Sequence, residues 1–284
     1  MDILQESFPL RFGAVDRSGR LTLASTFDLF QEVAISHAEH LGVGRDALAR
    51  MRQGWILSRI SVLMDRRPVF GETITVRSWP RGWEKLFALR DYDIRDASGA
   101  VLVRGRSNWL ILDLDRRRPL RPQGLMAELP LNEGIDALPS GANGLMAMDD
   151  LTGAGERRAR YSDIDYNGHV NNTRYIQWIQ DTVDSALLET ADRMRLDINY
   201  LSEILPGETT ELWIAPLPPD PAGYGAGYGG GYAGGYGAAE DGAAQGAADM
   251  PSRCLRTGAF AFEGRKSGEE QAAFRAELRT WKDQ

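Results

Sequence analysis

The sequence predicts an α+β fold built from two copies of one unit, each a long helix followed by about four antiparallel strands. Two stretches have helical periodicity, and each precedes four short runs rich in Val, Ile, Leu and aromatic residues. The copies also match residue by residue, because adding 149 to Asp16 and Gly19 gives Asp165 and Gly168. One long internal period indicates a duplicated unit, whereas a solenoid needs three or more short repeats.

The first helix is predicted within STFDLFQEVAISHAEHLG, which begins at Ser25. Its apolar residues recur at steps of three and four, with Ser25 as the candidate N-cap and Gly42 as the stop. The stretch NNTRYIQWIQDTVDSALLE repeats this spacing in the second copy, with Asn172 as its candidate cap. We expect one long helix from each stretch.

Eight strands are expected after the helices, because the apolar runs are punctuated by Gly, Pro and Asp. They cover residues 56–64, 72–79, 86–95 and 101–113 in the first copy and 194–203, 208–214, 254–262 and 273–281 in the second. The offset between the copies changes along these strands. At an offset of 138, Asp65 matches Glu203, and at an offset of 136, Gly71 matches Gly207.

These patterns divide the chain into three parts. We expect an N-terminal unit at 1–122, a connection at 123–156 and a C-terminal unit at 157–284. Residues 216–250 are rich in Gly, Ala and Tyr and have too little apolar surface to offset the entropy of ordering. They fall between two predicted strands and are expected to form a surface insertion in the C-terminal unit.

The composition is typical of a globular protein, with 43% hydrophobic and 26% charged residues. A formal net charge of -7 argues against a general nucleic-acid binder. No run of about 18 apolar residues is present, so no membrane span is expected. The N-terminal MDILQESFPLRFG lacks the features of a targeting peptide, which favours a cytoplasmic location.

The candidate site is YSDIDYNGHVNN, residues 161–172, just before the second helix. Aligned with the first copy, Asp165 and Gly168 recur, but Asn167 and His169 face Ser18 and Arg20. One interpretation is a turn whose polar side chains cap the backbone. The other is an active site: in an extended segment 165, 167 and 169 would share one face, beside helix N-H groups suited to an oxyanion.

Other reactive constellations are scarce in the sequence. His37 and His40 lie three residues apart without zinc-like partners, so no metal site is predicted. No P-loop, G-x-S-x-G elbow or dinucleotide fingerprint is present in the right context, and no cofactor is expected. With only three histidines in the chain, His169 is the candidate imidazole if the protein is a hydrolase.

The run DIDYNGHVNNTRYIQWIQD, residues 163–181, resembles the signature of acyl-acyl carrier protein (acyl-ACP) thioesterases, approximately D-x-D-x-N-x-H-V-N-N-x-x-Y. The resemblance implies a double hot-dog fold, in which each unit wraps a curved antiparallel sheet around a long central helix. It also implies that Asp165, Asn167 and His169 are catalytic, together with an acid after the second helix, Glu203. Many plant members have Cys after this acid, where this chain has Ile204.

The resemblance further implies hydrolysis of fatty acyl-ACP to free fatty acid and holo-ACP in fatty acid biosynthesis, with no metal or cofactor. Asp165 either attacks the thioester carbonyl or, with Glu203, activates water, and the N-terminal unit holds the acyl chain. The partner is then acyl carrier protein, an acidic protein. Three arginine clusters are candidate docking sites: Arg116 to Arg118 with Arg121, Arg66 with Arg67, and Arg157, Arg158 and Arg160.

Two other functions remain open at this point. An acyl-CoA thioesterase would use the same thioester chemistry with a different carrier. A non-catalytic acyl-binding hot-dog protein would keep the fold without turnover. The oligomeric state is open between a monomer and a homodimer, because two units of one chain can pair with each other.

Overall fold

The computed structural model describes residues 2–122, 129–140, 142–218 and 258–282. Within these ranges the helices are α1 (Leu23–His40), α2 (Arg45–Arg50), α3 (Asn172–Gln180) and α4 (Ser185–Thr190). The strands are β1 (Leu4–Pro9), β2 (Gln53–Met64), β3 (Thr73–Glu84), β4 (Phe87–Asp96), β5 (Val101–Asp113), β6 (Arg118–Leu120), β7 (Thr152–Arg158), β8 (Arg193–Tyr200), β9 (Thr209–Pro216), β10 (Gly258–Lys266) and β11 (Ala272–Trp281). No helix of the described part is long and apolar enough to cross a membrane.

All strands belong to one antiparallel sheet, and its order shows the duplication. The order is β1-β3-β4-β5-β2-β8-β11-β10-β9-β7, with β6 paired to β5. Strands β1 to β5 in the first half correspond to β7 to β11 in the second. The halves join where β2 pairs with β8, with Ile60 opposite Ile198. The predicted duplication is therefore confirmed.

The eight predicted strands correspond to β2–β5 and β8–β11. The strand predicted from residue 254 can be described only from Gly258, and the Gly/Ala/Tyr-rich insertion at 216–250 lies almost entirely outside the described residues. Strands β1, β6 and β7 were not predicted. Their sequences, LQESFP, RPL and TGAGERR, lack apolar alternation because most of their side chains are exposed or half-buried. β7 begins at Thr152, within the stretch assigned to the connection.

Both predicted N-caps are wrong, by three residues for α1 and by one residue for the second helix. The N-cap of α1 is Thr22, whose side chain accepts a hydrogen bond from the backbone N of Ser25. The N-cap of the second helix is Asn171, one residue before the predicted position. The stop at Gly42 is confirmed, because this glycine has a φ of 71°, in the left-handed region that glycine adopts without strain.

The second long helix is interrupted. α3 ends at Gln180, and α4 starts at Ser185 after Asp184 caps it by accepting a hydrogen bond from the N of Ala186 at 2.9 Å. An Asp followed by Ser offers the backbone a cap in place of another helical turn, and this preference overrides the apolar period.

α1 and α3 pack against each other in opposite directions. The backbone N of Ala24, at the start of α1, donates to Oε1 of Gln180, at the end of α3, over 2.9 Å. Phe27 and Phe30 of α1 share one apolar core with Ile176 of α3. The end of α1 that leads into α2 consequently lies beside the first turn of α3.

A tight turn precedes α1 in the first copy. The N of Asp16 donates to the O of Arg20 at 2.9 Å, and Oδ1 of Asp16 accepts from the N of Ser18 at 2.8 Å. Gly19 has a φ of 75°, which explains why glycine stands there. The recurrence of Asp and Gly in both copies thus has a conformational reason.

Equivalent backbone hydrogen bonds in the two copies show which residues correspond, and they correct the predicted alignment. They are Leu21 N to Pro68 O, at 2.8 Å, and Val170 N to Ile204 O, at 2.9 Å. Since Leu21 corresponds to Val170, Pro68 corresponds to Ile204, and Arg67 corresponds to Glu203. The match of Asp65 with Glu203 is wrong by two residues, a shift that keeps side chains on the same face of a strand and so preserves the apolar pattern.

Arg67 is a buried ion-pair partner in the first copy. Its side chain is 2% exposed and donates to the carboxylate of Asp16 and to the carbonyl oxygens of Leu21 and Leu188. Burial opposes ionisation of Asp16, but hydrogen bonds from Ser18 and Arg67 outweigh it, so the pKa of Asp16 is lowered. The hydrogen bond from Arg67 to the O of Leu188 also connects this part of the first unit to α4 of the other unit.

We expect Asp16→Asn to reduce the free energy of unfolding by about 2 kcal/mol at pH 7, because the buried guanidinium loses its anionic partner. A lowered carboxyl pKa contributes stability above the unfolded-state pKa, and this contribution is lost as pH falls through the folded-state pKa. Urea unfolding should therefore show that the difference in unfolding free energy between wild type and variant decreases in acid.

Asp96→Asn is the matched control, because Asp96 caps an exposed turn through Ser98 and Ala100. An equal loss in both variants would contradict the assignment.

Candidate active site

The candidate catalytic segment is a turn and does not run extended. The N of Asp165 donates to the O of His169 at 2.9 Å, and Gly168, with a φ of 85°, completes the turn. Oδ1 of Asp165 accepts from the N of Asn167 at 2.8 Å, as Asp16 does from Ser18. The prediction of an extended segment, with 165, 167 and 169 on one face, is wrong. The turn instead places these polar side chains just before the N-terminus of α3.

His169 and Glu203 are brought together across the turn. Nε2 of His169 lies 3.3 Å from Oε2 of Glu203, and the two side chains are 38% and 39% exposed. Glu203 follows β8 in the loop that leads to β9, so its position depends on the register of β8 in the sheet. If Nε2 carries the proton, it donates to the carboxylate, and Nδ1 keeps a lone pair that can accept a proton.

Asp165 and Asn167 form the other half of the cluster. Nδ2 of Asn167 lies 3.4 Å from Oδ2 of Asp165. Because Oδ1 of Asp165 is held by the turn, Oδ2 is the oxygen left for chemistry. The structure thus brings the four predicted residues into two contacting pairs around one turn, Asp165 with Asn167 and His169 with Glu203.

Tyr175, predicted only as an apolar position of the second helix, is a buried aromatic residue in the first turns of α3. The residue is 2% exposed, and its ring packs edge-on against the rings of Tyr200 and Phe274. Burial raises the pKa of Tyr175, and the negative charges of Asp165, Glu208 and Glu203 raise it further. Tyr175 is therefore a neutral phenol under the carboxylates, and no sequence signal separates it from a core aromatic residue.

Two arginines of the first unit reach this cluster. Nε of Arg45, the first residue of α2, donates to Oδ1 of Asn167 at 3.4 Å, and its guanidinium carbon lies 3.9 Å from the centre of the Tyr166 ring. Nη2 of Arg117 donates to Oε1 of Glu203 at 2.9 Å. Sequence reasoning assigned Arg117 only to a docking cluster, because the contact joins residues 86 positions apart.

α2 is held in place near the site by local packing. Val43 and Leu48 form a small apolar cluster with Ile111, and Nε1 of Trp55 donates to the O of Val43 at 2.9 Å. The N of Arg45 donates to a carboxylate oxygen of Glu39 at 2.9 Å, which fixes the start of α2. These contacts direct Arg45 toward the second unit.

Among the described residues, no group of three or more His, Cys, Asp and Glu side chains is arranged to hold a metal ion. His37 does not pair with His40. It is fully buried, with Nδ1 3.2 Å from Nη1 of Arg90 and Nε2 3.2 Å from Oδ1 of Asp2. Burial and the charge of Arg90 lower the pKa of His37.

The chain matches two family models along most of its length. The model of the acyl-ACP thioesterase N-terminal domain covers residues 2–127, and the model of the C-terminal domain covers residues 152–227. The chain belongs to the acyl-ACP thioesterase family. The resemblance seen in residues 163–181 is confirmed.

Two plant proteins are among the relatives of this chain. It is 26% identical to an acyl-[acyl-carrier-protein] hydrolase of Cuphea viscosissima, over 70% of this chain and 51% of the relative. It is 25% identical to a palmitoyl-acyl carrier protein thioesterase of Cuphea hookeriana, over 79% of this chain and 57% of the relative. Both relatives are named chloroplastic, and the chain spans about half of their length.

Solved structures of acyl-ACP thioesterases confirm the double hot-dog fold. An acyl-ACP thioesterase from Bacteroides thetaiotaomicron superposes with a TM-score of 0.77 at 23% identity, covering 98% of this chain and 97% of the other. A 12:0-ACP thioesterase from Umbellularia californica superposes with a TM-score of 0.71 at 18% identity, covering 98% and 96%.

We expect Asp165→Asn to fold nearly as stably as wild type, because its amide oxygen can still accept the hydrogen bond from the N of Asn167. Asp165→Ala loses this acceptor and should lower the free energy of unfolding by about 1 kcal/mol. Urea unfolding of both variants measures the difference. If Asp165→Asn were as unstable as Asp165→Ala, the segment would be stabilised by the carboxylate charge and not by the hydrogen bond to the N of Asn167. Asp165→Asn could then not isolate a catalytic effect.

Proposed function

We propose that the chain hydrolyses the thioester of fatty acyl-ACP to a free fatty acid and holo-ACP. The observation that carries this proposal is the contact of His169 with Glu203 beside Asp165 and Asn167, at the start of α3. Its support from known proteins is membership of the acyl-ACP thioesterase family and relatives named as acyl-ACP hydrolases.

The reaction breaks the C–S bond of the thioester and forms a C–O bond with oxygen that comes from water. Asp165 acts through Oδ2, either by attacking the carbonyl or, with Glu203, by activating water. His169 exchanges protons with the water and the leaving thiolate, and Glu203 orients its ring. Asn167 positions the substrate or the water. The N-H groups of Thr173 and Arg174 in the first turn of α3 already donate to Asn171, so they do not serve a developing oxyanion.

The first unit, residues 1–122, holds the acyl chain in this proposal, and the second unit, 157–284, carries the chemistry. The described part of the first unit contains a groove of about 320 Å³ beside β1 and α1. Its lining includes the apolar Phe8, Leu10, Leu29 and Val33 and the charged Glu6, Arg11 and Glu32. The inner residues of β2, by contrast, are already packed, with Val62 and Met64 fully buried. An acyl chain therefore has more room beside α1 than along β2.

Acyl carrier protein is the proposed partner, and the structure narrows the docking candidates. Arg67 is buried against Asp16 and is not available to a partner, whereas Arg66 is 45% exposed but already paired with Glu72. Arg116, Arg118 and Arg121 are exposed on the hairpin next to Glu203, and Arg158 and Arg160 are exposed near the candidate turn. A cytoplasmic location and a monomeric or homodimeric state stay predictions.

A panel of acyl-ACP chain lengths tests the reaction, the carrier and the site together. Wild type should release thiol from acyl-ACP, and Asp165→Asn, His169→Ala and Glu203→Gln should each lower kcat/KM by roughly 100-fold or more, the scale of lost acid-base assistance. Parallel assays with acyl-CoA separate the two carriers. Wild-type turnover in all three variants would show that the site is elsewhere, and no thiol release from any acyl thioester would favour the acyl-binding alternative.

Charge reversal tests the docking surface. Changing Arg116, Arg118 and Arg121 to Glu should raise KM for acyl-ACP roughly tenfold, because steering of an acidic partner is lost. The same triple variant should keep its KM for a carrier-free acyl thioester, which serves as the control. An unchanged KM for acyl-ACP would move the docking surface to Arg158 and Arg160 or exclude steering by these clusters.

A further inference from the structure

We propose that Arg117 of the first unit is a positioning residue for the carboxylate of Glu203 in the second unit. The proposal rests on the proposed function, because Glu203 is taken to act in thioester hydrolysis. Oε1 of Glu203 accepts from Nη2 of Arg117 at 2.9 Å, while Oε2 lies 3.3 Å from Nε2 of His169. The two oxygens are thus divided between one cation and the imidazole, and this division sets the rotation of the carboxylate.

The hairpin that carries Arg117 is rigidly attached to the first unit. Oδ1 of Asp113 accepts from the N of Asp115 and the N of Arg116, at 3.0 and 2.9 Å. Arg52 donates to both carboxylate oxygens of Asp115, and its own carbonyl accepts from the N of Leu114 at 2.9 Å. These contacts fix the backbone of the turn just before Arg117, whose φ is 52°.

The duplication shows that the contact across units is specific to the working copy. In the first copy the position of Glu203 is taken by Arg67, which finds its counter-ion, Asp16, within the same unit. In the second copy the residue is an acid, and its cation comes from the other unit. Among the described residues, the other side chain that contacts the carboxylate of Glu203 is the half-exposed His169.

Arg117 is 75% exposed, so its ion pair should add little to the stability of the fold. Its effect should instead appear in turnover, where the direction of Glu203 fixes the ring of His169 relative to the substrate. This separates Arg117 from a structural residue, whose loss would lower the melting temperature. It also separates Arg117 from a docking residue, whose loss would matter only with the carrier protein.

The test compares Arg117→Ala and Arg117→Lys on two substrates with the same acyl group, acyl-ACP and an acyl-N-acetylcysteamine thioester. We expect Arg117→Ala to lower kcat roughly 10- to 100-fold on both substrates, the scale of a misplaced catalytic group, with an unchanged Tm and partial recovery in Arg117→Lys. Added to Glu203→Gln, the Arg117→Ala change should lower kcat no more than about twofold, since coupled residues are not additive.

Arg17→Ala is the matched control. Arg17 is 76% exposed and also forms an ion pair across the units, at 2.6 Å from Glu189, but away from the site. This variant should keep wild-type kcat on both substrates. A loss in Arg117→Ala confined to acyl-ACP would make Arg117 a docking residue and overturn the proposal. Full activity of Arg117→Ala alongside an impaired Glu203→Gln would overturn the role of Arg117 and leave the proposed function standing. A wild type that is inactive on both substrates would overturn the proposed function.

Discussion

The pairing of β2 with β8 is the interaction on which the rest of the structure depends. It joins the two units into one sheet through a run of six residue pairs, from Arg59 opposite Asn199 to Met64 opposite Met194. Because this pairing is antiparallel, corresponding elements of the two units run in opposite directions, and α1 packs antiparallel to α3. The end of α1 must then lie beside the start of α3. The fold itself thus places α2 and the β5–β6 hairpin of the first unit next to the candidate turn of the second.

This arrangement makes the two copies of the turn unequal. In the first copy, Arg67 fills the position of Glu203 and is buried between Asp16 and the end of α4. The contact stabilises the interface between units and leaves no space for a reactant. In the second copy the same backbone carries His169 and Glu203, both about 40% exposed. One copy holds the units together, and the other keeps an accessible acid and imidazole.

The sequence was sufficient for the strands that alternate or run apolar and for the duplication. The family resemblance named Asp165, Asn167, His169 and Glu203, which the structure brings into two contacting pairs. The sequence failed where burial does not leave a pattern. Edge strand β7 has no apolar alternation, and the break before α4 follows from the capping preference of Asp184 rather than from hydrophobic period. The offset error at Asp65 arose because a shift of two residues leaves an apolar strand pattern unchanged.

The contributions of Arg45 and Arg117 to the site could not be read from the chain, because both contacts join residues more than 80 positions apart. They depend on how the units are placed by the sheet. The mixed chemistry of the turn was likewise ambiguous. The turn interpretation is confirmed, because Asp165 accepts from the N of Asn167 through Oδ1. The active-site interpretation stays a proposal, for which Oδ2, in contact with Nδ2 of Asn167, is the candidate oxygen.

The most direct test of this account is the number of acyl carriers that one chain binds. Calorimetric titration of wild type with an amide-linked, non-hydrolysable acyl-ACP would measure it. The account predicts one equivalent per chain, because the buried Arg67 fills the position in the first copy that corresponds to Glu203. Two equivalents of equal affinity would contradict it, since they would require a second working site where the structure places a buried ion pair.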